Sequence, residues 1–209
     1  MPVNGDTSHS DPPPGRRTQA ERREATRTAL LAAARQLFAE KGYAGAGREE
    51  IVARAGVTRG AMYHHFASKH ELFRAVVEEL EQEVMGRVAE AGMEAAGDPR
   101  QALARGCRAF LDIAAADGSV RRILLLDAPS VLGWAEWRDL EARYALGLTK
   151  EVLTHAMEVG QIRQQPVDPL AHMLLAALNE AALLVAQSDD PARTRAEVGE
   201  AVERLVAVL

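Results

Sequence analysis

Residues 48–69, REEIVARAGVTRGAMYHHFASK, decide how this chain is read. Ile51, Val52 and Ala55 recur at the spacing of one helical face, and Met62 and Phe66 do the same in a second element. Between them Ala55, Gly56 and Val57 supply a small residue, one that tolerates positive φ, and an apolar plug over the turn. Thr58 stands where an N-cap belongs, its hydroxyl free to accept from the amides of the next turn. This is the pattern of a helix-turn-helix, a unit whose second helix fits the major groove of double-stranded DNA. The pattern predicts a chain that binds DNA.

A net charge of −5 is at odds with binding a polyanion until it is divided along the chain. Residues 1–75 hold twelve Arg and Lys against eight Asp and Glu, a balance of +4, whereas the remaining 134 hold thirteen against twenty-two, or −9. Arg16, Arg17, Arg22, Arg23 and Arg27 gather where the first helix begins. An acidic body with a basic head suits a protein that touches a polyanion at one end, although a solvated helix start accounts for Arg22 and Arg23 equally well.

At 209 residues and 47% hydrophobic content the chain can bury one large or two small cores. Alanine and leucine dominate and no segment alternates apolar and polar residues for long, which predicts an all-α fold. The single cysteine, Cys107, excludes an internal disulfide and fits a reducing compartment. Residues 1–15, MPVNGDTSHSDPPPG, carry no apolar signal core, and nowhere do eighteen apolar residues run uninterrupted. The expectation is a cytoplasmic protein, nucleoid-associated when bound to DNA, with no membrane partner. A nucleophile elbow, a phosphate loop, a His-x-x-x-His pair and a paired-carboxylate site are all missing. Enzyme chemistry on His155, His172, Glu180 or Cys107 is therefore the weaker reading, and no cofactor is expected. His64 and His65 are adjacent, so on a helix they diverge by about 100°, and no third ligand stands at a suitable spacing; no metal is expected.

Residues 1–17 read as a disordered tail, because Pro12-Pro13-Pro14-Gly15 cannot hold a helix and nothing apolar anchors them. A first helix is predicted over 20–41, with Leu30, Ala33, Ala34, Leu37 and Phe38 on one stripe and Gly42 at its end. It would cover the two short helices and complete a three-helix headpiece over 18–68. From Lys69 a long helix, apolar at Leu72, Phe73, Val76, Val77, Leu80, Val84 and Val88, runs to near Ala96, where Gly97-Asp98-Pro99 stops it. It opens a body over 69–209 without a break, so movement in the body would pass directly to the headpiece. Five further helices are predicted, over 99–116, 119–129, 134–159, 170–187 and 192–209. The last two carry wide apolar faces: Leu170, Met173, Leu174, Ala177, Leu178, Ala181, Leu184 and Val185 on one, Val198, Val202, Leu205, Val206 and Leu209 on the other. Either these faces complete the core of one chain or they pair with their copies in a four-helix bundle.

Thr26-Arg27 with Leu30-Leu31 and Ala33-Ala34, then LFAEKGYAG, EEIVARAGVTRGAMYHHF and ASKHELFRAVV, closely resemble the tetracycline-repressor (TetR) family of bacterial transcriptional regulators. DAPSVLGWAEWR and DPLAHMLLAALNEAALLVA resemble a subset of that family more loosely. The resemblance implies about nine helices, a homodimer held by the last two, and a cavity for a small-molecule effector in each body. It implies a regulator, most simply a repressor released from its operator by that effector; a transcriptional activator of the same fold and a helical small-molecule-binding protein without specific DNA binding are the alternatives. One departure is visible. Where family members usually have a threonine and a hydrophobic residue after the glycine loop, this chain has Ala46-Gly47-Arg48, which predicts a weakly capped second helix.

Site residues follow from chemistry and resemblance together. Arg59 has a planar fork suited to guanine or to paired phosphates, while Gly60 and Ala61 let the backbone approach, Ala61 meeting a thymine methyl. Tyr63 and His64 match family positions that contact phosphates or bases, and His65 is placed to donate to a phosphate. Lys69, opening the long helix, resembles the family's phosphate clamp, helped by the helix dipole. Thr58 caps, contacts a phosphate, or does both, and Arg27 with the upstream arginines would touch the backbone or enter a minor groove. The family's cavity helices place Met85, Cys107, Phe110, Trp134, Trp137, Tyr144 and His155 near an effector, with Asn179 a polar group in an apolar helix; Trp134 and Trp137 serve equally well as a core plug. An apolar lining implies a hydrophobic or amphipathic effector. The dimer face is expected on Leu170, Met173, Leu174, Ala177, Leu178, Ala181, Leu184, Val198, Val202 and Leu205.

Overall fold

Thr18 starts the first helix with a reciprocal cap: its hydroxyl accepts from the Glu21 amide at 3.2 Å, and its own amide donates to the Glu21 carboxylate at 2.7 Å. The computed structural model describes residues 18–95 and 97–209, and the regular structure among them is helical throughout. The expected tail of residues 1–17, with Arg16 and Arg17, lies outside the described residues. Helices α1 (Gln19–Gly45), α2 (Arg48–Ala55) and α3 (Arg59–His65) form the headpiece, and α4 (Lys69–Met93) leads into the body. There follow α5 (Pro99–Ala116), α6 (residues 120–132), α7 (residues 134–158), α8 (Val167–Gln187) and α9 (Pro191–Ala207).

In the headpiece Leu30, Ala33, Ala34, Leu37 and Phe38 of α1 are buried in one cluster with Ile51 and Val52 of α2 and Met62 of α3. Phe38 meets Phe73 of α4 edge-on at 5.1 Å between ring centroids, and Tyr43 meets Phe73 at 5.0 Å, so three aromatic rings join the headpiece to the first turns of α4. The same apolar cluster continues through Val76, Val77, Leu80 and Val84 into Ile113, Val120, Ile123 and Leu124 of the body. A second cluster fills the far end, from Leu103, Leu111 and Ala114 of α5 to Leu153, Leu174, Ala182 and Val206.

Helix starts are fixed by side chains that accept from free amides. Ser68 caps α4 through Glu71 at 3.0 Å, Asp98 caps α5 through Gln101 at 2.9 Å and Asp190 caps α9 through Arg193 at 3.1 Å, with Pro99 and Pro191 in first turns where a missing N–H costs nothing. Helix α8 is long and apolar enough to cross a membrane, but Leu170, Ala171, Leu174, Leu178, Ala181 and Ala182 are buried in the second cluster, as in a core helix of a folded body.

Four elements differ from the reading of the sequence. The simplest is α8, which starts at Val167 and takes Pro169 into its first turn rather than beginning after it. Helix α1 does not stop at Lys41; it breaks at Gly42 (φ 70°, ψ 173°) and takes one more turn to Gly45. Helix α6 passes Pro129 and ends at Gly133 (φ 78°), because Val120–Asp127 winds as a π-helix before Ala128–Leu132 resumes the α form. The wider winding carries the chain past the position where the proline ring would strike a carbonyl one turn back. Helix α7 runs to Glu158 as expected, but through a π-wound stretch at Ala142–Leu146.

Gly42 carries the tightest backbone demand. Its φ is positive, and a Cβ there would run into the Arg122 guanidinium of α6. Gly42→Ala is expected to cost more than about 1 kcal/mol and to lower the melting temperature by about 2–4 °C for each kcal/mol, read by thermal denaturation followed by circular dichroism.

Candidate nucleic-acid interface and cavity

Helix α3 is short, and its two faces divide cleanly. Met62 is fully buried and Phe66, just past its end, is nearly so, while Arg59, Gly60, Tyr63 and His64 are exposed. Thr58 is the N-cap, accepting from the Ala61 amide at 3.2 Å, and Gly56 closes α2 in the left-handed conformation (φ 66°). The turn is the one the sequence predicts. Arg59 lies 3.1 Å from Glu49 and 5.8 Å above the Tyr63 ring, so its fork is held at the surface by groups a phosphate or base edge could displace. Arg27 of α1 stands 5.7 Å over the Phe66 ring.

His65 is half-buried, and burial together with His64, Arg23 and Arg27 holds its pKa below the ordinary histidine value. As a neutral ring it offers one N–H donor rather than a charge. The largest departure is Lys69. Its ammonium donates to the Tyr43 carbonyl at 2.7 Å and the Ala46 carbonyl at 2.9 Å and sits 4.3 Å from the Tyr43 ring centroid. Burial, with Arg48 beside it, holds its pKa below the usual lysine range. The side chain expected to reach outward as a clamp is turned inward as a latch, because the broken end of α1 leaves two carbonyls without helical partners. That latch also answers the weak start of α2. Gly47 makes no side-chain cap, but Ala46 is fully buried, Glu49 and Glu50 sit in the first turn, and Lys41 pairs with Glu50 at 2.6 Å.

The body encloses a cavity of about 550 Å³ between α4, α5, α6, α7 and α8, in the size range of small-molecule sites. Of the residues expected near an effector, Met85, Cys107, Phe110, Trp134, Trp137 and Asn179 line this cavity. Burial pushes the Cys107 thiol up to about 12, so it is a neutral wall group. Two expected residues lie elsewhere. The Tyr144 hydroxyl donates to Glu78 and accepts from Gln82, both at 2.9 Å, which ties that ring to α4 outside the cavity. His155 is exposed, 3.7 Å from Glu158, and borders a smaller hollow of about 300 Å³. Its position on α7 faces outward because Leu153, Ala156 and Met157 take the inward face.

Two charged groups of the wall, Glu81 and Glu141, have no place in the sequence reading. Glu141, only 7% exposed, pairs with Arg138 and accepts from the Asn179 amide at 2.6 Å, and Arg138 reaches on to His172 at 3.0 Å. Asn179 thus has its partner inside its own chain. Glu81 is legible in the sequence. It stands in the apolar stripe of α4, one turn after Val77 and one before Val84 and Met85, where a carboxylate is out of place. Burial, and secondarily Glu141, pushes its pKa up to about 7, although part of its surface is open to the cavity.

The face assigned to a partner also needs correcting. Leu170, Leu174, Leu178, Ala181 and Val202 are buried by their own chain, and Leu174 and Leu178 line the cavity. Ala177 and Val198 are half-buried. What α8 and α9 leave open is Met173 (63% exposed), Leu184 (49%) and Leu205 (40%), with Val208 (80%) just beyond the end of α9. Helix α8 is apolar most of the way round, so which side turns inward depends on α5 and α7, which no local pattern contains, and α9 has a single apolar face that α5 and α8 mostly cover.

Beside the cavity, α6 does two things. Its Leu124, Leu125 and Pro129 face the void, and its Asp127 accepts from the Tyr43 amide of the headpiece at 2.7 Å while Arg122 stands 3.5 Å from the same carboxylate. Among the described residues no three of His, Cys, Asp and Glu converge as a metal site.

The protonation of Glu81 is testable through stability. Protonated Glu81 suits the folded state, an advantage present below the unfolded carboxyl range near about 4.3 and lost as pH rises through about 7. Glu81→Gln is therefore expected to melt above the parent protein at about pH 8, with the difference shrinking towards about pH 5, in paired calorimetric scans.

Comparison with known proteins agrees with this architecture. Residues 30–76 match the family described as bacterial regulatory proteins, tetR family, and residues 100–209 match the tetracyclin repressor-like C-terminal domain. Among relatives, the chain is 36% identical over 102 residues to the HTH-type transcriptional activator FasR of Mycolicibacterium smegmatis, covering 49% of this chain and 46% of that one. It is 47% identical over 74 residues to the HTH-type transcriptional regulator CymR of Pseudomonas putida, covering 35% and 36%. The matches thus span under half the length of both curated relatives. The crystal structure of a TetR-family transcriptional regulator from Pectobacterium atrosepticum superposes with a TM-score of 0.76 at 34% identity, covering 90% of this chain and 95% of that one. With both halves matched and a structural relative spanning nearly its whole length, the chain belongs to the TetR family of bacterial transcriptional regulators.

Proposed function

We propose that this protein is a cytoplasmic, effector-responsive transcriptional repressor that binds a pseudo-palindromic operator as a homodimer and leaves it when a hydrophobic or amphipathic small molecule fills the body. The observation that carries the reading is the polar edge of α3, exposed at Arg59, Gly60, Tyr63 and His64 while Met62 and Phe66 anchor the helix below. In a two-fold dimer two such edges would enter successive major grooves, about 34–36 Å apart or a multiple of that. Arg59 and Ala61 read bases, Tyr63, His64 and His65 meet the backbone, and Thr58 and Arg27 hold the register. Lys69 serves by tying the turn between α1 and α2 to the start of α4, with one ammonium hydrogen left for a phosphate.

The open residues Met173, Leu184, Leu205 and Val208, on and just after α8 and α9, supply the face for a second copy. Release follows by linkage. An effector that binds better to one arrangement of the α6 wall shifts Asp127, and with it the broken end of α1 that Asp127 holds. The chain works by binding alone, so the effector is recovered unchanged. One relative is named an activator; in vitro transcription from the bound promoter separates that direction from repression, which lowers transcript.

Gel shifts on the DNA upstream of the gene itself test the operator; binding that ignores sequence overturns it. Arg59→Ala is expected to relax base preference at one position of each half-site, a loss of about 1–3 kcal/mol per contact, whereas Lys69→Ala should weaken binding to every sequence alike. Met173→Glu with Leu184→Glu should give a monomer in sedimentation and remove tight binding to the two-half-site DNA; an unchanged dimer would refute the assigned face.

A further inference from the structure

The cavity wall is unbalanced in charge. Its charged lining groups are Glu81 and Glu141, and both are acidic. Glu141 is already answered: Arg138 is its ion-pair partner and the Asn179 amide donates to it at 2.6 Å. Among the described residues Glu81 has neither a hydrogen bond nor an ion pair. It stands on α4 one turn before Met85, lines the void with it, and has Glu141 as its neighbouring charge. A carboxyl in that position is relieved of its buried charge most fully by holding a proton or by meeting a cation. Its elevated pKa reflects the first, in the chain by itself. The second requires a guest.

We infer that the cavity selects cationic amphiphiles, molecules with one ammonium group on an apolar body, the ammonium seated against Glu81. This rests on the reading of the cavity as the effector site and narrows it to a chemical class. An anionic guest would set its charge against two lining carboxylates, and a neutral one offers Glu81 at most an uncharged hydrogen bond. The wall favours a cation in a second way, since Trp137 and Phe110 line the same void and offer aromatic rings to it. Trp134 and Met93, each lining the cavity yet 69% exposed, form an apolar rim through which such a body can enter.

Decylammonium, decanol and decanoate share a chain length and differ in charge, and Trp134 and Trp137 are the only tryptophans, so quenching of their fluorescence reports occupancy. At about pH 7.5 decylammonium is expected to bind at least about tenfold more tightly than decanol, with decanoate weakest. Glu81→Gln should abolish that preference while keeping decanol binding, which shows the cavity intact. Equal or tighter binding of decanol or decanoate by the parent protein, no binding of decylammonium, or an unchanged preference in Glu81→Gln overturns the inference and leaves the regulator reading standing. Decylammonium bound through Glu81 without any change in operator affinity would do the reverse, sustaining this inference against the proposed release step.

Discussion

The interaction on which the rest depends is the hold of Asp127 on the Tyr43 amide. Helix α1 breaks at Gly42, and the turn that follows carries backbone groups with no helical partner. Asp127 takes the amide from the body side, and Lys69 takes the Tyr43 and Ala46 carbonyls from the headpiece side. Between them they hold the turn that leads into α2, although Gly47 supplies no cap, and α3 in turn packs on α1 and α2. The contact belongs to the same helix that walls the cavity with Leu124, Leu125 and Pro129. The helix that walls the cavity is thus also the one that holds the turn leading to the DNA edge, a continuous physical link of the kind that coupling between two sites requires.

The cavity shows a second constraint, of charge rather than geometry. Leucine, methionine, alanine and aromatic side chains make most of the lining, and such a surface would accept almost any apolar molecule of suitable size. Selectivity comes from the few polar groups. Glu141, Arg138, Asn179 and His172 are joined to one another and so rigid, leaving Glu81 as the group whose state depends on what enters. Cys107, neutral and buried, adds volume and no charge.

How much of this is legible in the sequence depends on how local each feature is. The helix-turn-helix is set within some twenty residues, and the apolar spacing of Ile51, Val52, Met62 and Phe66 with Gly56 and Thr58 between them reads directly into the observed turn and caps. The ends of α4, α5, α7 and α9 follow glycine and proline for the same reason. Features that depend on two distant segments read less well. Lys69 reads as an outward clamp because nothing near it shows the carbonyls left by the break at Gly42. Val202 and Leu178 read as partner contacts because an apolar face does not say which neighbour covers it. Pro129 reads as an end, and the π winding that lets α6 pass it has no simple periodic signal. Glu81, by contrast, stands in plain view in the apolar stripe of α4; its meaning comes only with the cavity around it.

Amide hydrogen exchange in the parent protein and in Asp127→Ala measures the central claim most directly. With the carboxylate gone, exchange should quicken at Tyr43 and through the turn to Ala46, and it should quicken in α3 as well, while α9 at the far end of the body keeps its protection. Unchanged protection of α3 in the variant would contradict the account, because the body would then have no grip on the helix that meets DNA.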